Sequence, residues 1–332
     1  MKIAVFEVDQ REREAFKNFD CAHEVRFSTK PLRKSNVRRY ADTEILSSFV
    51  YSDLSVRNLS QLKSLKLIAT RSTGIDHIDI GYCKKQGIMV CNVPTYGDHT
   101  VAEHVFALLL ALSHKLCEAT ERTRRGDFSQ EGLQGFDLRG KTLGVVGTGN
   151  IGMCVIEIAQ GFHMEVIAFD IKPREPLSST LPFRYVGMEE LLKTSDIITL
   201  HVPATPRTHH LISSQEFGMM KKGVILINTA RGNVVDTQAL LQALAHGRVA
   251  AAGLDVLHEE PIIREEAELL HSIFRQKHDL SNLLADHLLL RLRNTIITPH
   301  SAFNTREAVQ RILDTTINNI ISFCQGKLEN VV

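Results

Sequence analysis

One stretch constrains the fold of this chain more than any other: Leu143-Gly144-Val145-Val146-Gly147-Thr148-Gly149-Asn150-Ile151-Gly152. An apolar run stops at Gly147, two more glycines follow at the GxGxxG spacing, and a helical pattern opens behind them. A second apolar run, 166–169, ends at Asp170. The interval from Gly152 to Asp170 is close to the roughly 20 residues between turn and acid in a dinucleotide-binding βαβ unit. Each residue type has a task there. Gly147 permits the tight turn, Gly149 lets a pyrophosphate approach the backbone, and Gly152 lets helix pack on strand. With Thr148, Asn150 and Ile151 they form a loop whose N–H groups and helix dipole attract phosphate. Asp170 accepts from the hydroxyls of a ribose and repels a 2′-phosphate, which favours NAD over NADP. Lys172 and Arg174, close behind it, bear against that choice. A plain βα turn is the competing reading of the glycines alone.

At 332 residues the chain has room for two domains. Lys+Arg 39 against Asp+Glu 38 leave a formal net charge of +1, so charge balance points to neither nucleic acid nor an anionic membrane. The groups Arg33, Lys34, Arg38, Arg39 and Arg122, Arg124, Arg125 read as solvated faces. Cys21, Cys83, Cys91, Cys117, Cys154 and Cys324 are scattered without CxxC or metal spacing, which suits a reducing compartment. The N-terminus reaches Glu7 too soon for a signal peptide. The longest uncharged apolar run, 105–112, is too short to span a bilayer. A cytoplasmic protein is expected.

Short apolar runs alternate with helical patterns, the mark of parallel sheets with helices on both faces. Strands are predicted at 3–6, 65–69 and 88–91, with a helix over 78–85. A second series starts at the glycine turn and continues through strands at 196–200, 223–228 and 249–254. Asp236 is a candidate N-cap for a helix ending near Ala245. Between the two series, Val101, Val105, Leu108, Leu109, Leu112 and Leu116 recur at helical spacing and predict one long helix over 100–125. Phe106 and Leu110 make its other faces apolar too, so it is expected to be covered by the second domain or a second subunit. A further amphipathic helix over 307–323 is assigned by pattern to neither series.

The chain also carries Arg71-Ser72-Thr73-Gly74-Ile75-Asp76-His77-Ile78-Asp79, Val93-Pro94-Thr95-Tyr96, Val101-Ala102-Glu103-His104, His201-Val202-Pro203, Asn228-Thr229-Ala230-Arg231-Gly232, Gly253-Leu254-Asp255-Val256, Glu259-Glu260-Pro261 and Thr298-Pro299-His300. With these motifs in this order, across nearly its whole length, the sequence resembles the D-2-hydroxyacid dehydrogenases, and within them the D-lactate dehydrogenase branch. The resemblance implies two Rossmann-like, doubly wound parallel-sheet α/β domains. An NAD-binding domain, 100–299, is inserted into a discontinuous substrate domain, 1–99 and 300–332. It implies a homodimer built through the helix beginning near Val101. It also implies reversible hydride transfer between NADH and a 2-keto acid, pyruvate to D-lactate first, with glycerate and glyoxylate or hydroxypyruvate as the other substrates. The same fold serves corepressors, so an NAD-sensing regulator with little turnover is the reading from a different class.

Reducing a keto acid takes a hydride source, a proton donor and a cation for the carboxylate. His300, behind an apolar strand at 295–298 and a proline that fixes the turn, is the expected donor. His77, His104 and His201 are its rivals, which the resemblance marks as structural or cofactor-proximal. The resemblance puts the carboxylate partner at Glu260, five residues after Asp255. Such a partner raises the imidazole pKa and keeps it protonated near neutrality. Glu259, Glu265 and Glu266 read as solvated. Arg231, after the 224–228 strand, brings a planar fork to the substrate carboxylate. Thr73 and Gly74 are expected to offer it backbone N–H groups, and Tyr96 to stand near the substrate. His201, Val202, Pro203, Thr229, Ala230 and Asp255 complete the expected cofactor contacts. Glu260 argues against the related formate dehydrogenases, which carry an amide there. Between Glu260 and Pro299 lie 38 residues, with a helical pattern over 262–277 and leucine-rich sequence over 283–292. A long segment here fits the lactate branch, and equally an extra surface for a partner. Phe49, Tyr51, Ser301 and Phe303 are candidates for substrate selectivity.

Overall fold

The computed structural model describes residues 1–17, 23–173, 181–258 and 280–332. Arg174, Glu259, Glu260, Glu265, Glu266 and the expected 262–277 helix lie outside them. The chain forms two compact units, Met1–Tyr96 with Thr305–Val332, and Gly97–Asn304. Sequence expectation drew the boundaries at 99/100 and 299/300; by contact, His300 groups with the second unit.

The first unit runs β1 (Lys2–Val5), α1 (Gln10–Lys17), β2 (Glu24–Phe27), β3 (Ile45–Ser48), α2 (Val56–Leu59), β4 (Leu67–Thr70), α3 (Ile80–Gln86) and β5 (Met89–Cys91). Its five strands are all parallel, in the order β2-β1-β3-β4-β5. β3 and β4 are buried along their whole length, as central strands of a sheet covered on both faces must be. One face packs around Phe6, Leu32, Leu46 and Leu59. The other packs around Ile3, Phe16 and Leu67, with Leu313 and Ile320 from the C-terminal helix Arg306–Cys324. The helix that pattern left unassigned thus completes the first unit.

The second unit begins with α4 (Asp98–Ser113) and α5 (Leu116–Arg124), then β6 (Thr142–Val146), α6 (Asn150–Gly161), β7 (Glu165–Phe169) and β8 (Arg184–Tyr185). It continues with helix Met188–Thr194, β9 (Ile197–Leu200), helix Ser214–Met219, β10 (Val224–Asn228), helix Thr237–Ala245, β11 (Val249–Leu254), helix Leu280–Leu289 and β12 (Thr295–Ile297). Asp236 caps Thr237–Ala245, its side chain accepting from Ala239 N. The seven strands, again all parallel, order as β12-β11-β10-β9-β6-β7-β8. From β6 the chain builds outward to β7 and β8, then crosses to β9 and builds the other way. The carboxyl ends of β6 and β9 therefore flank a topological switch point, where open α/β sheets bind ligands.

The single helix expected over 100–125 is two helices. They meet at a 62° bend, with Lys115 in the left-handed region at φ 49°. The cause is a close crossing by a later segment. The Ser113 carbonyl, which a continuous helix would pair with Cys117 N, accepts instead from Phe136 N at 3.0 Å. Gly135 lies so near that a Cβ on it would stand 2.0 Å from that oxygen. Among the described residues no single helix is long and apolar enough to cross a membrane.

Candidate active site

Most of the residues singled out in the second unit follow the carboxyl ends of its strands. In sheet order these are His300 after β12, Asp255 after β11, Arg231 after β10, His201 after β9, the glycine turn after β6 and Asp170 after β7. That order results from strand connectivity, because each residue is carried there by its own apolar strand.

Gly147 is left-handed at φ 95°, and a Cβ on it would meet the His201 carbonyl at 2.5 Å. A Cβ on Gly152 would stand 2.1 Å from the Gly147 oxygen. Both positions demand glycine for the protein's own packing. Gly149 differs: a Cβ there meets nothing within 4 Å. It caps α6 without a side-chain hydrogen bond, so the helix presents its first N–H groups beside open space. Asp170 braces the turn. Its Oδ2 accepts from Thr148 N at 2.7 Å and Thr148 Oγ1 at 3.0 Å, and its Oδ1 from Lys172 N at 2.8 Å. Asn150 and Ile151 open α6, the former exposed and the latter half-buried. The Thr229 hydroxyl is buried without a hydrogen-bond partner. Ala230 N donates to Asn228 Oδ1 at 3.0 Å. Val202 reaches the Gly147 turn, and the carbonyl of exposed Pro203 accepts from Thr208 Oγ1 at 2.6 Å. An uncapped helix start, an open Gly149 and an orphaned buried hydroxyl fit a dinucleotide phosphate. The acid at the end of β7 suits a ribose diol.

His300 adopts the left-handed region at φ 53°, unfavourable for a side chain with a Cβ. The turn is held by Asp255, which is 1% exposed. The Asp255 Oδ1 accepts from Thr298 Oγ1 at 2.5 Å and Ser301 N at 2.9 Å, and Oδ2 from Ala302 N at 2.9 Å. His300 N donates to the Asp255 carbonyl at 3.0 Å. Thr298 has one hydroxyl proton and a carboxylate oxygen to receive it, so the 3.0 Å contact from His104 Nε2 makes His104 the donor to Thr298. Asp255, an expected cofactor contact, thus holds the His300 turn through three accepted hydrogen bonds. That role has no local signal, since Asp255 and Thr298 are brought together by the pairing of β11 with β12.

Arg231 follows β10, with Nη1 donating to the Ala230 carbonyl at 2.7 Å and its own carbonyl accepting from Asn228 Nδ2 at 2.9 Å. Gly232 behind it lies against the 257–258 backbone, where a Cβ would meet Leu257 C at 2.2 Å, so the β10 and β11 exits pack tightly. His201 pairs with Thr199 through Nε2 at 2.9 Å. Burial pushes its imidazole pKa down to about 3, so it is neutral at physiological pH. Among the described residues no group of three or more His, Cys, Asp or Glu is placed to hold a metal ion.

Within the first unit, Thr73 Oγ1 donates to the Val93 carbonyl at 2.7 Å and the Thr73 carbonyl accepts from Asn92 Nδ2 at 2.9 Å. The Gly74 carbonyl accepts from Ser72 Oγ at 2.7 Å, and the Tyr96 carbonyl from Arg311 Nε at 2.7 Å. His77 pairs weakly with Thr70 Oγ1 at 3.4 Å. Sequence reasoning passed over the anchor of this turn. Arg71, 1% exposed, donates through Nη2 to the carbonyls of Phe6 at 2.7 Å and Glu7 at 2.9 Å. Glu7 is left-handed at φ 58°. Burial, only partly offset by the Ser52 hydroxyl and Arg71, raises its carboxyl pKa.

Residues 106–302 match the family model described as D-isomer specific 2-hydroxyacid dehydrogenase, NAD binding domain. The chain is 34% identical to the D-lactate dehydrogenase of Escherichia coli, over 98% of each chain. It is 39% identical to the glycerate dehydrogenase of Methylorubrum extorquens, over 82% of this chain and 81% of the relative. Among solved structures it resembles the D-lactate dehydrogenase of Aquifex aeolicus complexed with NAD and lactic acid. There the TM-score is 0.87 and the identity 38%, over 99% of this chain and 98% of that one.

Proposed function

We propose that this chain, which belongs to the D-isomer-specific 2-hydroxyacid dehydrogenase family and is an NAD-dependent oxidoreductase of the CH–OH group, interconverts pyruvate and D-lactate. The lactate assignment rests on the likeness to D-lactate dehydrogenases, and the observation that carries the hydride-transfer chemistry is the row of strand ends. It sets the His300 turn and Arg231 on the side of the switch point opposite Asp170, so a dinucleotide lying with its phosphates on the glycine turn and one ribose on Asp170 directs its other end toward them. When bound, NADH supplies the hydride that reduces the substrate carbonyl carbon. His300 gives the imidazole proton to the carbonyl oxygen and takes it back in the oxidation direction. The Arg231 guanidinium grips the carboxylate through its planar fork. Glu260 is the carboxylate partner of the His300 imidazole by its motif. Thr73, Gly74 and Tyr96 are substrate contacts by their motif. Gly147, Thr148, Gly149, Asn150, Ile151 and Gly152 hold the pyrophosphate and Asp170 the ribose, with His201, Val202, Pro203, Thr229 and Ala230 lining the remainder. Asp255 acts on the cofactor only indirectly, through the turn that it holds.

The homodimer belongs to the same proposal. His99, Glu103, Phe106, Ala107 and Leu110 of α4 line an open groove with Glu157 and Ile158 of α6, a half-apolar face suited to a second copy. The cytoplasm is the proposed location, a reducing setting that agrees with the free buried thiols of Cys83 and Cys91.

Substrate identity is tested by the loss of NADH absorbance with pyruvate, hydroxypyruvate, glyoxylate and phenylpyruvate, compared as kcat/KM. Pyruvate is expected to give the highest value. A higher value for hydroxypyruvate or glyoxylate moves the assignment toward the glycerate branch. Tight NADH binding with no decay on any of the four favours a regulator.

A further inference from the structure

The basic face at 122–125 is not simply solvated, because part of it forms one wall of a cleft. Glu118, Glu121, Arg122 and Arg125, spaced by three and four residues on and just beyond α5, line a concavity of about 400 Å³ together with Arg291 and Arg293. The second wall is the turn that leads into β12, whereas His300 leaves that strand at its other end. The cleft therefore lies away from the row of carboxyl ends.

Four guanidiniums here meet two carboxylates. Each carboxylate already has a helical partner: Arg122 holds Glu118 at 2.5 Å, and Arg125 holds Glu121. Arg122 is braced further by donating to the Glu131 carbonyl at 2.6 Å. Arg291 and Arg293 have no acidic partner among the described residues. Their turn is built firmly. Thr295 Oγ1 contacts the carbonyls of Leu289 at 2.5 Å and Leu292 at 3.0 Å. Leu292 packs against the core, and Asn294 Nδ2 donates to the Ala250 carbonyl at 2.9 Å. Arg291 and Arg293, both exposed, line the cleft on either side of Leu292.

A surplus of two positive charges in a concavity wants a dianion. Guanidinium forks match the oxygens of phosphate and carboxylate, and the volume falls within the roughly 300–1,000 Å³ of small-molecule sites. We propose that this cleft binds a compact dianion, a phosphate group or a short dicarboxylate, at a site separate from that of the dehydrogenase reaction.

The test is calorimetric titration of the NAD-saturated protein, so that the glycine turn is occupied, at constant ionic strength set by chloride. One arm uses inorganic phosphate and the other succinate. Saturable binding is expected in at least one arm and identifies which chemistry the cleft prefers. The double variant Arg291→Ala/Arg293→Ala should weaken it about tenfold or more, while Arg124→Ala, on α5 but outside the cleft, leaves it unchanged. Both replaced side chains are exposed, and an unchanged Tm without ligand verifies the fold; should the double variant fail that check, Arg293→Ala alone replaces it. No saturable binding in either arm, binding that survives the arginine replacements, or equal weakening by Arg124→Ala overturns the proposal.

Discussion

Asp255→Asn separates two accounts of one buried side chain. The wild-type carboxylate accepts three hydrogen bonds, two on Oδ1 and one on Oδ2. Asparagine brings a single oxygen. In its better orientation that oxygen keeps Thr298 and Ser301, and the amide nitrogen then opposes Ala302 N, donor against donor. One charge-assisted bond is lost and a buried N–H is left unpaired, a cost of about 2–3 kcal/mol. At roughly 2–4 °C per kcal/mol for a domain of this size, the Tm falls by about 5–10 °C. The released backbone is that of Ala302, two residues behind His300, and misplacing a reacting group by about 1 Å costs on the order of 10²-fold in turnover. Steady-state kinetics at saturating NADH, NADH binding by fluorescence and thermal unfolding read all three quantities. The expected pattern is a kcat lowered about 30- to 100-fold, NADH affinity within about twofold of wild type, and the lowered Tm. Weakened NADH binding with normal kcat at saturation would return Asp255 to the cofactor contacts. No change in any quantity would refute the account of the turn.

His300→Gln should lower kcat by about 10²–10⁴-fold with NADH binding retained, and equal turnover removes His300 as proton donor. Gly149→Ala should leave the Tm nearly unchanged, because nothing stands within 4 Å of the new Cβ, yet weaken NADH binding; Gly152→Ala, at 2.1 Å from a carbonyl, should lower the Tm, and the reverse pattern contradicts the fit of the loop to a dinucleotide. His201 has a folded pKa of about 3 against an ordinary value of 6.5, so the unfolded state binds its proton first as pH falls. The stability it contributes is complete above about pH 6.5 and lost toward pH 3, with a slope of at most about 1.4 kcal/mol per pH unit. His201→Gln should therefore lose less urea stability than wild type between pH 6.5 and 4, and parallel curves would reject a buried neutral imidazole. Glu260→Gln should lower kcat for keto-acid reduction with NADH binding retained, and an unchanged kcat denies the pairing with His300.

What could be read from the residues divides by the reach of the forces involved. The glycine turn was legible because its constraints are local: Gly147 needs its own φ of 95°, and Gly152 must clear an oxygen five residues back. Buried parallel strands were legible where an apolar run makes up most of the strand, as at β6 and β10. β3 escaped notice because its second half is Ser47 and Ser48, both fully buried. A central strand was thus missed although it pairs with both β1 and β4. The bend between α4 and α5 was hidden for another reason. Its own residues favour a continuous helix, and the break is imposed by Gly135 and Phe136, far along the chain. The same limit applies at the site. His300 announces itself through Pro299 and the strand before it. The acid that holds its turn comes from a neighbouring strand, and hydrophobic periodicity carries no record of which strand lies beside which. A carboxylate at a strand end therefore reads as a ligand contact until the sheet order is known. Once it is known, the three bonds that Asp255 accepts make it the residue that holds His300 in the left-handed region.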